Sequence, residues 1–209
     1  MKSTFFKYLI LFIILILLEE IIKRLFDFKE LLYNSLSLQF TQKQIQLFFE
    51  FQDKWQWVGY AIVPIMVVIK TCLIASILYI GTFFFSKIPI SFKQLWTIVI
   101  NAEFVFLLVP MFKIVWFYFF QTNYTLEDIQ YFYPLSALNI TGYNIFPWFI
   151  YPFQTLNLFE LSYWLILAYY IGKATQTNMD KGLKVVMYSY GPALLLWVVT
   201  IMFFTLSYS

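Results

Sequence analysis

Long apolar stretches alternate with short polar ones along this chain, and five of the apolar stretches approach the length needed to cross a bilayer. A membrane-crossing helix needs about 20 residues. The stretches lack the regular alternation of a transmembrane β-strand, so the pattern predicts helices. We expect five membrane-spanning helices, at residues 5–26, 58–85, 95–120, 153–172 and 183–206.

The segment that precedes the second predicted span has a different pattern. Residues 41–57, TQKQIQLFFEFQDKWQW, mix polar and aromatic positions and place Ile45 and Phe48 near one helical face. This pattern predicts an amphipathic helix in the membrane interface, with Trp55 and Trp57 as anchors at the headgroup level. The alternative is a loop packed over the helical bundle.

The composition restricts the class of protein. Of 209 residues, 62% are hydrophobic and only 12% are charged. A soluble domain could not cover that much apolar surface with so few charges, so we expect an all-α polytopic membrane protein with one membrane domain. The net charge of +3 comes without a long basic stretch, which argues against nucleic acid as a partner. The expected partners are the lipid bilayer and other integral membrane proteins.

The distribution of basic residues predicts an orientation, because cytoplasmic loops carry an excess of Lys and Arg. Three segments on one side of a five-span chain carry lysines: Lys2, Lys7, Lys87, Lys93, Lys173, Lys181 and Lys184. The connection at residues 121–152 has no Lys or Arg. We therefore expect a cytoplasmic N-terminus and an outer C-terminus, in a bacterial inner membrane. The first connection, with five basic residues at 23–54, opposes this orientation.

Four charges, Glu19, Glu20, Lys23 and Arg24, follow the first apolar stretch. Their spacing predicts the i, i+4 pairs Glu19–Lys23 and Glu20–Arg24 at the edge of the bilayer. The same letters, E-E-x-x-x-R, resemble the first motif of the CAAX-protease membrane family. That resemblance implies a glutamate general base assisted by histidines, but the chain has no His. A membrane hydrolase is therefore the least favoured of three hypotheses for the function. We expect no enzyme, no metal and no cofactor.

Four further ionisable residues lie within the predicted spans: Lys70, Glu103, Lys113 and Glu160. Charges at such depth are costly, so they usually face a partner or a cavity. Counting about 1.5 Å per residue predicts two cross-helix ion pairs, Lys70–Glu103 and Lys113–Glu160. The favoured interpretation is structural pairing that sets helix register. A transport or proton route and pairing to another subunit are the alternatives.

Two stretches resemble the Ypt-interacting protein (Yip) domain. The first is residues 91–112, SFKQLWTIVINAEFVFLLVPMF, and the second is residues 156–204, which open with L-x-x-F-E-L-x-Y-W. The resemblance implies a five-helix membrane domain with a cytoplasmic N-terminus, as in bacterial-type members. The expected function is a non-catalytic scaffold or accessory subunit of a membrane protein complex. The alternative is a permease-like transport subunit that uses the buried Lys/Glu pairs.

Overall fold

The structure is a computed structural model that describes residues 2–85 and 88–208. Lys87, one of the lysines used to predict orientation, lies outside the described residues. The predicted all-helical fold is confirmed for the described part of the chain, which forms these elements: α1 Lys2–Leu25, α2 Phe28–Ser37, α3 Gln42–Phe85, α4 Phe92–Glu103, a 3-10 turn Phe104–Leu107, α5 Leu108–Phe119, α6 Leu126–Tyr131, α7 Ala137–Thr141, α8 Pro147–Thr155, α9 Leu158–Ala174 and α10 Met179–Tyr208.

Three helices among the described residues are long and apolar enough to cross a membrane: α3, the continuous run Phe92–Phe119, and α10. The other two predicted spans fall short for different reasons. Helix α1 has 24 residues, but Lys7, Glu19 and Glu20 shorten its apolar part. Helix α9 has only 17 residues, fewer than the roughly 20 that span a bilayer. The five-span arrangement therefore stays a prediction.

The predicted interfacial helix and the second span form one uninterrupted helix. Helix α3 runs for 44 residues from Gln42 to Phe85, so the prediction of a separate amphipathic helix at 41–57 is wrong. No helix-breaking cluster separates the two segments, and Gly59 is tolerated within the helix. Pro64 also lies inside α3. The predicted helical character of 41–57 is present, but as an extension of α3.

The predicted third span contains a short change of helical geometry. A 3-10 turn at Phe104–Leu107 joins α4 to α5 directly after Glu103. Pro110 follows in α5, and because proline has no N–H it cannot bond the carbonyl of Phe106, four residues before it. The carbonyl that loses its helical hydrogen bond belongs to Phe106, which lies within the 3-10 turn.

The predicted fourth span, 153–172, is broken near its start. Helix α8 ends at Thr155, α9 begins at Leu158, and Asn157 between them is extended. Backbone bonds tie the break to the segment before α7: the N–H of Ala137 donates to the carbonyl of Leu156 (2.9 Å), and the N–H of Leu158 to the carbonyl of Leu135 (3.1 Å). The backbone groups that the break leaves without a helical partner therefore form hydrogen bonds with another segment of the chain.

Two apolar clusters hold the helices together. The larger joins α3, α4, α9 and α10, and the smaller joins α1, α5 and α6 around Phe26 and Phe117. Helix α1 runs parallel to α4 and α5, as two contacts show. Near the start of α1, Thr4 bonds Thr97 of α4 (3.1 Å). Just after the end of α1, the Phe26 ring lies 5.6 Å from the Phe117 ring of α5. Helices α9 and α10 lie in close contact at Gly182, where a Cβ would collide with the carbonyl oxygen of Ala168.

Candidate functional site

The Lys70–Glu103 contact expected from the sequence is present in the structure. Lys70 lies midway along α3 and Glu103 is the last residue of α4; their Nζ and Oε2 atoms are 2.8 Å apart. The ammonium also lies 4.6 Å from the centre of the Phe106 ring, which adds a cation–π attraction. The two partners differ in exposure: the Glu103 side chain is 7% exposed and that of Lys70 is 48% exposed. Only the carboxylate is buried.

Glu160 has different partners from those expected. It lies in the first turn of α9, where the Asn157 side chain caps the helix by accepting the Glu160 backbone N–H (2.7 Å). Its Oε1 accepts hydrogen bonds from the Trp164 indole N–H (2.9 Å) and the Tyr190 hydroxyl (2.8 Å). The N-terminal turn of a helix also favours a negative charge. Two side chains therefore hold this carboxylate, and Asn157 fixes the backbone that carries it.

The predicted Lys113–Glu160 pair is wrong. The Lys113 ammonium donates to the backbone carbonyl of Ile129 in α6 instead. The break before α9 is the physical reason, since it places Glu160 in the first turn of a separate helix that packs on α10. Lys113 remains on α5, beside the connecting helices.

Two tyrosines link the two carboxylates. The Tyr163 ring is fully buried and packs 5.1 Å from Phe106 and 5.7 Å from Tyr190, measured between ring centres. The Tyr163 hydroxyl and Glu103 Oε1 are buried. The two residues interact electrostatically, but neither atom makes a hydrogen bond of good geometry among the described residues. Lys70 and Glu103 both act on Glu160 electrostatically. We call this set of residues the polar core: Lys70, Glu103, Glu160, Tyr163, Trp164 and Tyr190.

The connection between α6 and α7 also faces the polar core. Burial raises the pKa of the Tyr133 hydroxyl above its ordinary value, and the negative charge of Glu160 raises it further. Tyr133 therefore lies close enough to Glu160 for the two groups to interact electrostatically.

Two grooves lie along α9. The first has a volume of about 740 Å³ and lies beside the break between α8 and α9, with Glu160 and Trp164 in its lining. The second, of about 570 Å³, lies at the opposite end of α9 and is lined by Lys93 of α4 and Lys173 of α9. Neither Lys70 nor Glu103 lines either groove.

The charges at the end of α1 form a small network with α3. Lys23 pairs with Glu19 (3.1 Å) and with Glu20 (3.5 Å). Glu20 also accepts a hydrogen bond from the Tyr60 hydroxyl (2.6 Å). The expected Glu20–Arg24 pair is not formed; Tyr60 and Lys23 contact Glu20 Oε1 instead. The Glu19–Lys23 contact is present as expected. Trp55 and Trp57, the expected interfacial anchors, are both exposed on α3.

The sequence interpretation did not include Tyr163, Trp164 and Tyr190, which surround the two carboxylates. One local signal was available: Asn157 followed three residues later by Glu160 is a typical helix N-terminus. That signal would have placed a helix start inside the predicted fourth span. Among the described residues, no group of three or more His, Cys, Asp and Glu side chains could hold a metal ion.

The described fold is all-helical, with three helices able to cross a membrane and a polar core between α3, α4, α9 and α10. Comparison with known protein families, curated proteins and solved structures finds no match to this chain.

Proposed function

We propose that this protein is a non-catalytic integral membrane scaffold, an accessory subunit that packs against other membrane proteins through the Lys70 face of α3. The exposure of Lys70 is the observation that carries the proposal. Its side chain is half-exposed on a helix long enough to cross a bilayer. A charge left against lipid costs about 2.5–3.5 kcal/mol on insertion scales, and a partner helix would remove that exposure.

The chemistry of Lys70 also indicates what the partner presents. An ammonium has three N–H donors, and the described contact with Glu103 uses one of them. We infer that a partner membrane helix supplies a hydrogen-bond acceptor, such as a hydroxyl or carboxamide oxygen, to the remaining donors. The neighbouring exposed residues Met66 and Leu73, one turn away on either side, provide the apolar part of the contact.

We propose five spans, with the N-terminus in the cytoplasm and the C-terminus outside, in a bacterial inner membrane. Two observations support α1 and α9 as crossing helices. Helix α1 lies parallel to α4 and α5, with contacts at both of its ends. Lys93 and Lys173 line the same groove, so α9 returns the chain to the end of the bundle where α4 begins. The resemblance to the Yip domain agrees with five spans and belongs to this proposal.

Site-specific photo-crosslinking in native membranes tests the scaffold role. We expect a photoreactive residue at Met66 or Leu73 to give a discrete protein adduct, whereas one at Leu196, exposed on α10, gives mainly lipid adducts. The adduct from Leu73 should persist in a Lys70→Arg background, which keeps the donors, and decline in Lys70→Met. The yield is normalised to the amount of folded protein in the membrane.

Two results would contradict this proposal. One is the absence of any protein adduct at both Met66 and Leu73 while the protein is folded. The other is an adduct that is equally strong in Lys70→Met, because the partner would then not recognise the ammonium.

The unpaired atoms of the polar core favour a second candidate, a permease-like transport subunit. Glu103 Oε1 and the Tyr163 hydroxyl are buried and interact without a hydrogen bond of good geometry among the described residues, and such groups can accept or relay a transported cation or proton. Ion flux into proteoliposomes that is lost in both Glu103→Gln and Tyr163→Phe, with folding intact, would favour transport. Flux equal to that of empty liposomes would remove this candidate.

A further inference from the structure

The groove beside α9 combines an apolar wall with a break in the helical backbone. Its apolar lining includes Leu135, Ile140, Leu156 and Leu161, and its volume is about 740 Å³. Non-helical backbone within a membrane-crossing segment is tolerated where it is buried or lines a cavity. The break at 156–157 meets that condition, because both of its residues line the groove.

Glu160 is the only charged residue in the described lining of this groove. Both of its described side-chain hydrogen bonds, from Trp164 and Tyr190, end on Oε1. No described residue donates to Oε2, so this oxygen remains available to an occupant of the groove. Trp164, which also lines the groove, holds the carboxylate in a fixed orientation.

The charges around Glu160 do not balance. Glu103 and Glu160 are two carboxylates, and Lys70 is the cation that acts on both of them. Lys70 is already in contact with Glu103 at 2.8 Å. Charges in a low-dielectric setting favour opposite charges and hydrogen bonds. None of the described ion pairs includes Glu160, so a positive group in the groove would complement its carboxylate.

We propose that this groove binds an amphiphile with a protonated amine head, which donates hydrogen bonds to Glu160 Oε2 while its hydrocarbon tail lies along the leucine wall. This binding site is additional to the scaffold role. The volume lies within the range of about 300–1,000 Å³ that is typical of small-ligand sites. A partner helix, about 10 Å wide, would fit for fewer than two turns, so a single-chain amphiphile suits the groove better.

Binding of dodecylamine to the full-length protein in phosphatidylcholine nanodiscs tests this proposal. A ligand that binds the folded state raises the thermal unfolding midpoint in a concentration-dependent way, which gives a Kd. We expect dodecylamine to bind and dodecanol, which has the same tail without the charge, to bind at least about tenfold more weakly. Glu160→Gln should raise the Kd of dodecylamine about tenfold or more, since the amide keeps an acceptor but loses the charge.

Two further variants separate charge from shape. Glu127→Gln removes an exposed carboxylate of α6 and should leave the Kd unchanged. Leu161→Trp enlarges an exposed lining residue and should weaken binding while every charge stays in place. If Glu160→Gln does not fold, Leu161→Trp and the comparison of amine with alcohol on the unmodified protein decide the question. Equal binding of amine and alcohol would overturn the proposal, and so would dodecylamine binding that is unaffected by Leu161→Trp.

Discussion

Glu103 has two carboxylate oxygens in different situations. Oε2 meets the Lys70 ammonium at 2.8 Å, whereas Oε1 is buried without a hydrogen-bond partner among the described residues. The contact with Lys70 could be predicted from the sequence, because depth along two antiparallel helices follows from counting residues. The tyrosines around Glu103 could not, because their positions depend on how each helix is rotated about its axis. Apolar runs that are hydrophobic all round carry little information about that rotation.

A double-mutant cycle tests the role of the Lys70–Glu103 pair in packing. Lys70→Met leaves a buried carboxylate unpaired, so we expect a loss of about 3 kcal/mol in the free energy of unfolding. Glu103→Gln should cost less, about 1–2 kcal/mol, because the amide can still accept from Lys70. The double variant should recover part of the loss. Thermal or denaturant unfolding in mild detergent provides the measurement, and single effects that add without recovery would show that the pair contributes no coupling.

At the scale of the helices, α9 illustrates what hydropathy can and cannot show. Residues 153–172 are continuously apolar apart from a few polar positions, so their hydropathy predicts one span. The structure divides this stretch into the end of α8 and the start of α9. The division depends on two backbone bonds to the distant segment Leu135–Ala137, a tertiary contact that no local pattern contains. The capping residue Asn157 is the only local sign of it.

The α9–α10 contact leads to a prediction about Gly182. A Cβ there would collide with the carbonyl oxygen of Ala168, and backbone atoms can move aside only if the two helices separate. Gly182→Ala should therefore destabilise the protein by about 1–3 kcal/mol, although alanine is the better helix former. Thermal unfolding in mild detergent measures the change.

Gly59→Ala is the matched control. Gly59 lies inside α3, and a Cβ there would meet nothing within 4 Å. This change should be neutral or stabilise the protein by up to about 1 kcal/mol, from helix propensity alone. If both alanine variants were equally stable, the close approach of α9 and α10 at Gly182 would be refuted.

For the whole molecule, the helical class and the general positions of the long helices could be predicted from the sequence. Which helices pack against one another could not. Apolar length identifies α3, α4 with α5, and α10 without further information. It leaves α1 and α9 ambiguous, because α1 ends in charges and α9 is short. The packing of α1 along α5 rests on aromatic contacts such as Phe26 with Phe117. Such contacts join residues far apart in the chain and have no periodic signature.

Cysteine labelling distinguishes five spans from three. Single cysteines are placed at Thr125, before α6, and at Thr177, before α10, in a Cys72→Ala background. With five spans, α9 crosses the bilayer, so an impermeant maleimide added to intact cells should label Thr125→Cys and not Thr177→Cys. With three spans, both positions lie on one side and should react alike. Permeabilised cells provide the control that both cysteines are accessible.

The uninterrupted course of α3 gives the molecule one fixed helix length, which a surrounding bilayer would have to match. Its 44 residues measure about 66 Å, more than twice the hydrocarbon thickness of about 30 Å. Trp57 lies 28 positions before Phe85, or about 42 Å along the helix axis. That length matches the total thickness of a bilayer with its headgroups, about 40–45 Å. Because the length of the helix is fixed, a thicker membrane must thin around it or draw the tryptophans inward, whereas a thinner membrane requires the helix to tilt. The protein should therefore favour membranes of one thickness over others.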